Sequence, residues 1–201
     1  MAVIVVGGHS RNIGKTSVME GIIRGLAEMQ WTAIKITQFG HGMCSGNGEP
    51  CDCETAEHSV AVSEERDRSC KTDSSRYLAA GAARSLWVRT RIGDLGEAMP
   101  RIRRELEHSS NAIIESNSIL RFMRPDLYLS VLDPAVKDFK DSARIYLDRA
   151  DAVLVPEGTL GVPEWKGISL KLIVGTPVLA MRPPLYVTDS IVEFVRDAVA
   201  R

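Results

Sequence analysis

Apolar residues occur along this chain either in short uninterrupted runs or at helical spacing, and the two patterns alternate. The first run, Ala2–Val6, is rich in β-branched residues, as a strand buried on both faces requires, and Gly7 and Gly8 end it. From Lys15 onwards apolar residues recur three or four positions apart, which predicts a helix containing Val18, Met19, Ile22, Ile23, Leu26 and Met29. Thr32–Thr37 predicts the next strand, which completes a right-handed βαβ unit.

The same alternation continues to the end of the chain. Further strands are predicted at 85–88, 112–115, 127–132 and 152–155, and within 173–180 after Pro177. Helices are predicted at 73–80, capped by Asp73 or Ser74; around 95–106, with a kink or later start at Pro100; at 142–149; and after a cap at Thr188 or Asp189. Strands alternating with helices predict an α/β fold whose mostly parallel sheet carries helices on both faces.

The segment 38–72 interrupts this alternation. It is rich in Gly, Cys, Asp, Glu and Ser and shows no sustained periodicity, so we interpret it as a long inserted loop. Loops of this length within compact domains are usually functional or disordered. The rest of the chain shows no internal repeat, and residues 1–201 are therefore predicted to form a single domain with a Cys-rich insertion at about 38–72.

Composition narrows the function classes. The 201 residues are 44% apolar and 25% charged with a net charge of -1, which is typical of a globular protein and gives no basic field for nucleic acid or a membrane surface. The first apolar run is too short for a signal peptide or a membrane span, so we expect a cytoplasmic protein. Any anion that it binds must therefore be held by a local arrangement of residues.

A local anion site is predicted where the first strand meets the first helix. This connection reads Gly7-Gly8-His9-Ser10-Arg11-Asn12-Ile13-Gly14-Lys15-Thr16-Ser17. Glycines allow successive backbone N–H groups to face an anion, and the start of a helix adds its positive end. In such loops the lysine, here Lys15, reaches the β- and γ-phosphates of a nucleotide, and the hydroxyl of the next residue, here Thr16, binds Mg²⁺.

The spacing of this loop differs from the usual G-x-x-x-x-G-K-[ST] pattern. That pattern needs glycine at position 9, where this chain has His9, and counting from Gly8 leaves five residues before Gly14. The longer spacing resembles the extended phosphate loops of dethiobiotin synthetase and of the cobyric acid synthase group. The alternative is a glycine turn with a chance Gly-Lys-Thr, which the flanking strand and helix disfavour. We therefore predict a three-layer P-loop NTPase fold that binds its nucleotide through residues 8–17.

Carboxylates at strand ends are the expected partners of Mg²⁺ in such a site. Glu115 ends the predicted strand 112–115 and is the first choice, since it should emerge beside the phosphate loop. Asp73 follows the insertion and is expected to reach the metal through water, whereas Asp133 ends a strand that is expected to lie further away. The alternative for each acid is a solvated turn or a helix cap.

Three segments together resemble the molybdopterin-guanine dinucleotide biosynthesis protein B family. They are the Ile-Lys strand at 33–37, the stretch Lys71–Ala82 with its Asp-Ser-Ser and its Ala-Gly-Ala, and the Ile-Ile-Glu at 113–115; residues 176–180 also look like the final strand of that family. The resemblance implies a GTP-binding accessory protein of molybdenum cofactor maturation that is commonly dimeric.

Two features of the chain depart from that family. Thr37-Gln38-Phe39-Gly40 stands where the family has histidines, which leaves His41 nearby, and Ser116 stands where a glycine follows the strand-ending glutamate. The guanine-reading motif Asn-Lys-x-Asp of common GTPases does not occur. The sequence therefore leaves the base open, and the nucleotide is GTP or ATP.

All four cysteines lie in or at the end of the inserted loop. Cys44, Cys51, Cys53 and Cys70 have the spacing C-x6-C-x-C-x16-C, and His41 and His58 are close in sequence. Four thiolates can hold a tetrahedral Zn²⁺ or an iron–sulfur cluster, and such a metal would cross-link a polar loop. The alternative is four reduced thiols, because the paired C-x-x-C spacing of common zinc modules is missing.

Three functions follow from these patterns. The first is a slow nucleoside triphosphatase that assists cofactor biosynthesis and has a cofactor-biosynthesis enzyme as its partner. The second is an enzyme that uses ATP to activate a small carboxylate or hydroxyl substrate, as dethiobiotin synthetase does, with Lys15, Lys35 and Glu115 as its catalytic residues and Arg11 assisting. The third is a metal carrier or sensor that the nucleotide gates.

Overall fold

One eight-stranded sheet organises the described part of the protein. The computed structural model of the protein describes residues 1–40, 60–159 and 165–200. The strands are β1 (Val3–Gly8), β2 (Trp31–Phe39), β3 (Val60–Glu64), β4 (Arg84–Arg91), β5 (Asn111–Glu115), β6 (Leu127–Val131), β7 (Ala152–Pro156) and β8 (Val178–Met181). Their order is β3-β4-β2-β5-β1-β6-β7-β8, and every pair is parallel except β3 with β4.

Helices cover both faces of this sheet. They are α1 (Lys15–Gly25), α2 (Asp73–Ala79), α3 (Leu95–Glu107), α4 (Asp141–Arg144) and α5 (Asp189–Val199). Alternate residues of β1 point to opposite sides: Ile4 and Val6 pack with the apolar residues of α1 and α5, whereas Val3 and Val5 pack with those of α3. The sheet is therefore buried on both faces, and the prediction of a three-layer α/β fold is confirmed.

The carboxyl ends of β1, β2 and β5 come together at one edge of the sheet. Val6 is in register with Glu115, and Lys35 is in register with Glu115 from the other side. Because these strands are parallel, the loop that follows β1 and the residues that follow β5 share this edge. The arrangement brings the predicted phosphate loop next to the predicted acid.

Three glycines allow the end of the chain to pack closely against α1 and the loop before it. A Cβ atom at Gly14 would lie 2.2 Å from the Tyr186 ring, one at Gly21 would lie 2.4 Å from Val187, and one at Gly25 would lie 2.8 Å from Val192. These distances are shorter than van der Waals contact, so larger residues would push the carboxyl-terminal segment away. The first and last parts of the chain thus form one packed unit.

Several observed elements differ from the predicted ones. β2 continues to Phe39, and β3 lies within the segment interpreted as a loop. Thr72 caps α2 in a capping box with Ser75, in place of Asp73 or Ser74. The predicted helix 142–149 is divided into α4 and a 3-10 turn at Leu147–Arg149. No helix in the described ranges is both long enough and apolar enough to cross a membrane.

Candidate functional site

The connection from β1 to α1 is a tight loop that ends in a left-handed glycine. Gly14 has φ 92° and directly precedes α1, and Asn12 also has a positive φ of 57°. Glycine adopts this conformation without strain, and the helix then begins with the N–H of Val18 donating to the carbonyl of Gly14. The backbone of the loop therefore turns around a point directly in front of the amino terminus of α1, where an anion is favoured.

Asn117 holds the start of this loop. Its Oδ1 accepts from the N–H of Gly8 at 2.9 Å, and its Nδ2 donates to the carbonyl of Gly8 at 2.9 Å. A Cβ atom at the preceding Gly7 would lie 2.1 Å from the same Oδ1, so only glycine permits this close approach. Asn117 follows β5 by two residues and was not among the predicted site residues.

The side chain of Lys15 folds back over the loop, and its ammonium group contacts the loop backbone. Its Nζ donates to the carbonyl of Ser10 at 2.5 Å. Burial lowers the pKa of Lys15 from 10.5 to about 8, and the cations Lys140 and Lys35 add to this effect while Glu115 opposes it. A lysine with this pKa is held in a poorly solvated place where an anion would stabilise its charged form.

Glu115 is the buried centre of a group of polar side chains from four different elements. Its Oε2 accepts from the Thr16 hydroxyl at 3.1 Å and from the Tyr77 hydroxyl, and its Oε1 accepts from Lys35 Nζ at 2.5 Å. Lys35 Nζ also lies 2.9 Å from Asp73 Oδ2. Burial alone would lower the pKa of Lys35, but the two carboxylates outweigh it and raise that pKa, so Lys35 stays charged.

The oxygen atoms of this group suit Mg²⁺. Thr16 gives its hydroxyl hydrogen to Glu115, which leaves the lone pairs of the hydroxyl oxygen free to bind a hard cation. Glu115 and the half-exposed Asp73 would then hold water molecules of the ion, which keeps most of its hydration in such sites. Thr16, Glu115 and Asp73, the three predicted Mg²⁺ ligands, are therefore brought together.

Arg76 joins α2 to α1 behind this group. Its guanidinium donates to both oxygens of Glu20, at 3.1 and 2.6 Å, and to the Ser17 hydroxyl at 3.3 Å. Another guanidinium nitrogen lies 3.8 Å from Asp73. The helix that carries Asp73 is thus fixed to the helix that carries Lys15 and Thr16. Arg76 and Tyr77 were not predicted as site residues.

A cavity of about 790 Å³ opens in front of these groups. Ten of the predicted site residues line it: Gly8, Arg11, Asn12, Gly14, Lys15, Thr16, Ser17, Lys35, Asp73 and Glu115. Five basic side chains, namely Arg11, Lys15, Lys35, Arg76 and Lys140, face two acidic ones, Asp73 and Glu115. The whole chain has a net charge of -1, so this local excess of positive charge agrees with the expectation of a local anion site.

Three residues that the sequence predicts to bind the nucleotide do not line the cavity, namely His9, Ser10 and Ile13. The imidazole of His9 is buried, with Nδ1 donating to the carbonyl of Asp138 at 2.7 Å and Nε2 accepting from the N–H of Asp133 at 3.0 Å. Its own N–H donates to Val131. Contrary to the sequence prediction, His9 thus has neither its ring nor its N–H available for a phosphate.

The other two residues also support the loop from behind. The Ser10 hydroxyl donates to Asp138 at 2.7 Å, and the Ile13 side chain is buried in the core beside α1. Their side chains are therefore turned towards the protein, although the carbonyl of Ser10 still accepts from Lys15. Asp133, the lower-ranked acid, accepts from the N–H of Ala135 at 2.9 Å and does not line the cavity, as its sequence position suggested.

The predicted cysteine site falls almost entirely outside the described residues. Cys44, Cys51 and Cys53 lie in 41–59, as do His41 and His58, and only Cys70 is described, with an exposed thiol. Within the described ranges no group of three or more His, Cys, Asp or Glu side chains is arranged to hold a metal. The Zn²⁺ or iron–sulfur site on the four cysteines stays a prediction.

Comparisons with known proteins place the fold. No protein-family model matches the sequence, and no curated protein matches it. Among solved structures, the chain is similar to HypB from Helicobacter pylori in complex with nickel, with 14% identity and a TM-score of 0.51 over 98% of this chain and 85% of that one. It is also similar to LpxK from Aquifex aeolicus in complex with ATP, with 16% identity and a TM-score of 0.46 over 89% of this chain and 53% of that one. The likeness to HypB supports the P-loop NTPase fold that the sequence predicts.

Proposed function

We propose that this protein binds a Mg²⁺–nucleoside triphosphate in the cavity in front of α1 and hydrolyses it slowly. One observation carries the proposal: Lys15 and Thr16 of α1 converge with Lys35 of β2 and Glu115 of β5 at the turn that precedes α1. This is the chemistry that a triphosphate and its metal need, namely ammonium groups for the phosphates and a hydroxyl with a carboxylate for the cation.

Each residue has a role that follows from its position. Lys15 leaves the Ser10 carbonyl and neutralises the β- and γ-phosphates, while Lys35 and Arg11 stabilise negative charge that develops on the γ-phosphate. Thr16 and Glu115 hold the cation, which withdraws charge from the phosphate oxygens when it is bound. Water attacks the γ-phosphorus, and the nucleoside diphosphate leaves with the bridging oxygen.

Calorimetric titration with the non-hydrolysable imido analogues of ATP and GTP, each with Mg²⁺, tests this proposal. We expect one analogue to bind the wild type clearly better than the other, which names the base, and Lys15→Ala to weaken its binding by about a hundredfold, as the loss of a charged contact to two phosphates implies. An unchanged affinity in Lys15→Ala would exclude the proposed site. Phosphate release with ATP and GTP alone then measures the hydrolysis.

The finer roles from the sequence remain part of the proposal. Assistance in molybdenum cofactor maturation, with a biosynthetic enzyme as partner and a homodimeric state, rests on the resemblance at 33–37, 71–82 and 113–115. A cytoplasmic location, the single domain 1–201 and nucleotide-gated metal binding by the cysteines rest on the sequence patterns. Nucleotide-linked metal exchange at the four cysteines would favour the carrier over the accessory protein.

A further inference from the structure

A second pocket of about 370 Å³ adjoins the nucleotide cavity. Gln38, Ser118 and Ser142 line both, so the two spaces meet at these three polar side chains. The second pocket lies at the carboxyl ends of β2, β4 and β5, on the side of the cavity where Lys35 and Glu115 stand. In the proposed nucleotide site this is the end at which the γ-phosphate would lie.

The walls of the second pocket are largely apolar. They are formed by Gly93, by the buried Leu95 at the start of α3, and by Phe122, Ile145 and Tyr146. Ile145 is 61% exposed, which leaves a large apolar side chain facing water at the rim. A ligand with an apolar body would cover this surface and gain hydrophobic stabilisation.

The only charged residue among the described lining of this pocket is Arg121. Its guanidinium lies 5.7 Å from the centre of the Phe122 ring, and no carboxylate in the described residues forms a salt bridge with it. An arginine placed over an aromatic wall favours a planar anion such as a carboxylate. The pocket thus combines apolar walls with one available cation.

We propose that this pocket binds a second substrate, a small molecule with an apolar body and an anionic group, to which the γ-phosphoryl group is transferred. The proposal rests on the proposed nucleotide site, because it takes the γ-phosphate to lie beside Gln38, Ser118 and Ser142. Arg121 holds the anionic group at the far end of the pocket. A carboxylate or hydroxyl oxygen of the ligand then faces the three shared polar residues.

The transfer is a single displacement at phosphorus. The ligand oxygen forms a bond to the γ-phosphorus while the bond from that phosphorus to the β–γ bridging oxygen breaks. The nucleoside diphosphate leaves with the bridging oxygen and its electron pair. A carboxylate has no proton to lose, and the proton of a hydroxyl passes to water in the open cavity. Water attack is then the slow side reaction that remains when the second pocket is empty.

Anilinonaphthalene sulfonate, which has an apolar body and one anionic group, is a suitable probe of this pocket. We expect Arg121→Gln to weaken its fluorescence-detected binding by about tenfold, as the loss of a charge-assisted contact implies, and Ile145→Asp to weaken it at least as much. Phenylnaphthylamine, which lacks the sulfonate, should bind Arg121→Gln as well as it binds the wild type. Both substituted residues are exposed, so these variants should fold.

Two variants with the same chemical changes outside the pocket serve as controls. Arg103→Gln on the exposed face of α3 and Val174→Asp, at a residue that is 80% exposed, should leave the affinity for the sulfonate unchanged. Equal sulfonate affinity in wild type, Arg121→Gln and Ile145→Asp would overturn the proposed pocket. An unchanged triphosphate affinity in Lys15→Ala would instead show that the nucleotide site is wrong. Failure of the second pocket and failure of the nucleotide site are therefore measured by separate experiments.

The transfer itself requires a second measurement. The protein is incubated with γ-labelled triphosphate, Mg²⁺ and the small-molecule fraction of a bacterial extract, and labelled products are separated by anion exchange. We expect a labelled compound other than phosphate with the wild type and with Arg103→Gln, and its loss with Arg121→Gln. Label appearing only in phosphate, or a product that Arg121→Gln forms equally well, would overturn the acceptor role.

Discussion

Asn111 begins β5 and Asn117 lies two residues beyond its end, and each uses both atoms of its amide to clamp neighbouring backbone. Asn111 accepts from the N–H of Ala2 at 2.8 Å and donates to the carbonyl of Met29 at 2.7 Å. Asn117 accepts from and donates to Gly8. The first clamp lies at the amino end of the strand and the second at the edge that carries the phosphate loop, so the same interaction supports two different parts of the molecule.

Replacing these two residues should separate stability from binding. Asn117→Ala leaves both backbone groups of Gly8 without their partners and loosens the loop, so we expect about tenfold weaker triphosphate binding and a loss of about 1–3 kcal/mol in the free energy of unfolding. Asn111→Ala should cost similar stability and leave the affinity unchanged. Calorimetric titration and urea unfolding of both variants test this, and equal affinities would remove Asn117 from the site.

The Thr16 hydroxyl should determine how strongly Mg²⁺ increases the affinity for a triphosphate. Thr16→Val keeps the shape of the side chain but removes the oxygen, so triphosphate affinity should become nearly the same with Mg²⁺ as with a chelator, a loss of about tenfold or more in the Mg²⁺ effect. Thr16→Ser keeps the hydroxyl and should keep the effect. A full Mg²⁺ effect in Thr16→Val would show that the cation is held elsewhere.

The lowered pKa of Lys15 predicts that triphosphate binding weakens in alkaline solution. Below about pH 8 Lys15 is charged in the free protein, and above it the neutral amine must take up a proton before it can pair with phosphate. Between pH 8 and 9.5 the dissociation constant should therefore rise, approaching about tenfold per pH unit, and protons should be taken up on binding.

Lys15→Arg is the control for this pH dependence, because a guanidinium stays charged. The rise in the dissociation constant with pH should become smaller in this variant. It should not disappear, because burial and the nearby Arg11 also lower the pKa of Lys140 at the same cavity. Titrations in buffers of different ionisation enthalpy count the protons. A wild-type affinity that is constant from pH 7.5 to 9.5 would contradict the prediction.

Protonation of His9 should destabilise the fold in mild acid. Burial lowers the pKa of His9 below its ordinary 6.5, and the N–H of Asp133 needs the neutral ring as its acceptor. The unfolded chain therefore binds more protons than the folded protein once the pH falls to about 6.5, and stability decreases from there downwards, by at most about 1.4 kcal/mol per pH unit. Urea unfolding between about pH 5 and 7 measures this slope.

His9→Gln should lower stability at neutral pH and reduce the acid slope, because the titrating group is gone. His108→Gln is the matched control, since that ring is exposed on the surface at the end of α3, and it should keep the wild-type slope. An identical slope in the wild type and in His9→Gln would mean that other groups cause the acid destabilisation.

The sequence predicts those parts of the fold and site that follow from local pattern. The apolar run of β1, the glycines, and Lys15 with Thr16 are adjacent in the chain, so their arrangement depends on one strand, one turn and one helix. The sequence also predicts Glu115 as a site residue, because a carboxylate at the end of a buried parallel strand emerges at the edge of the sheet where the carboxyl ends of the strands lie. Asp73 is predicted as a partner of the metal from its place directly after the inserted segment 38–72.

Other features depend on residues that are distant in the chain. The position of His9 in the loop predicts a contact with the phosphates, because nothing nearby in the sequence indicates that Phe139 and Trp165 enclose its ring, at 5.1 and 4.8 Å between ring centres. Tyr77 and Asn117 have no spacing that marks them, since they act through contacts across the sheet. The sequence pattern does not predict β3, because this strand is five residues long, only partly buried and followed by charged residues. Its conformation is decided by its pairing with β4.

The close packing of Tyr186, Val187 and Val192 against the glycines of α1 and its preceding loop also has a consequence for synthesis on the ribosome. The loop around Gly14 is translated before seven of the eight described strands, but Tyr186 and Val192, which pack beside Gly14 and Gly25, are translated after all eight. The loop therefore obtains these neighbours only after the last described strand has been made. Ligand should stabilise the released chain and give little protection to nascent fragments that end before residue 186.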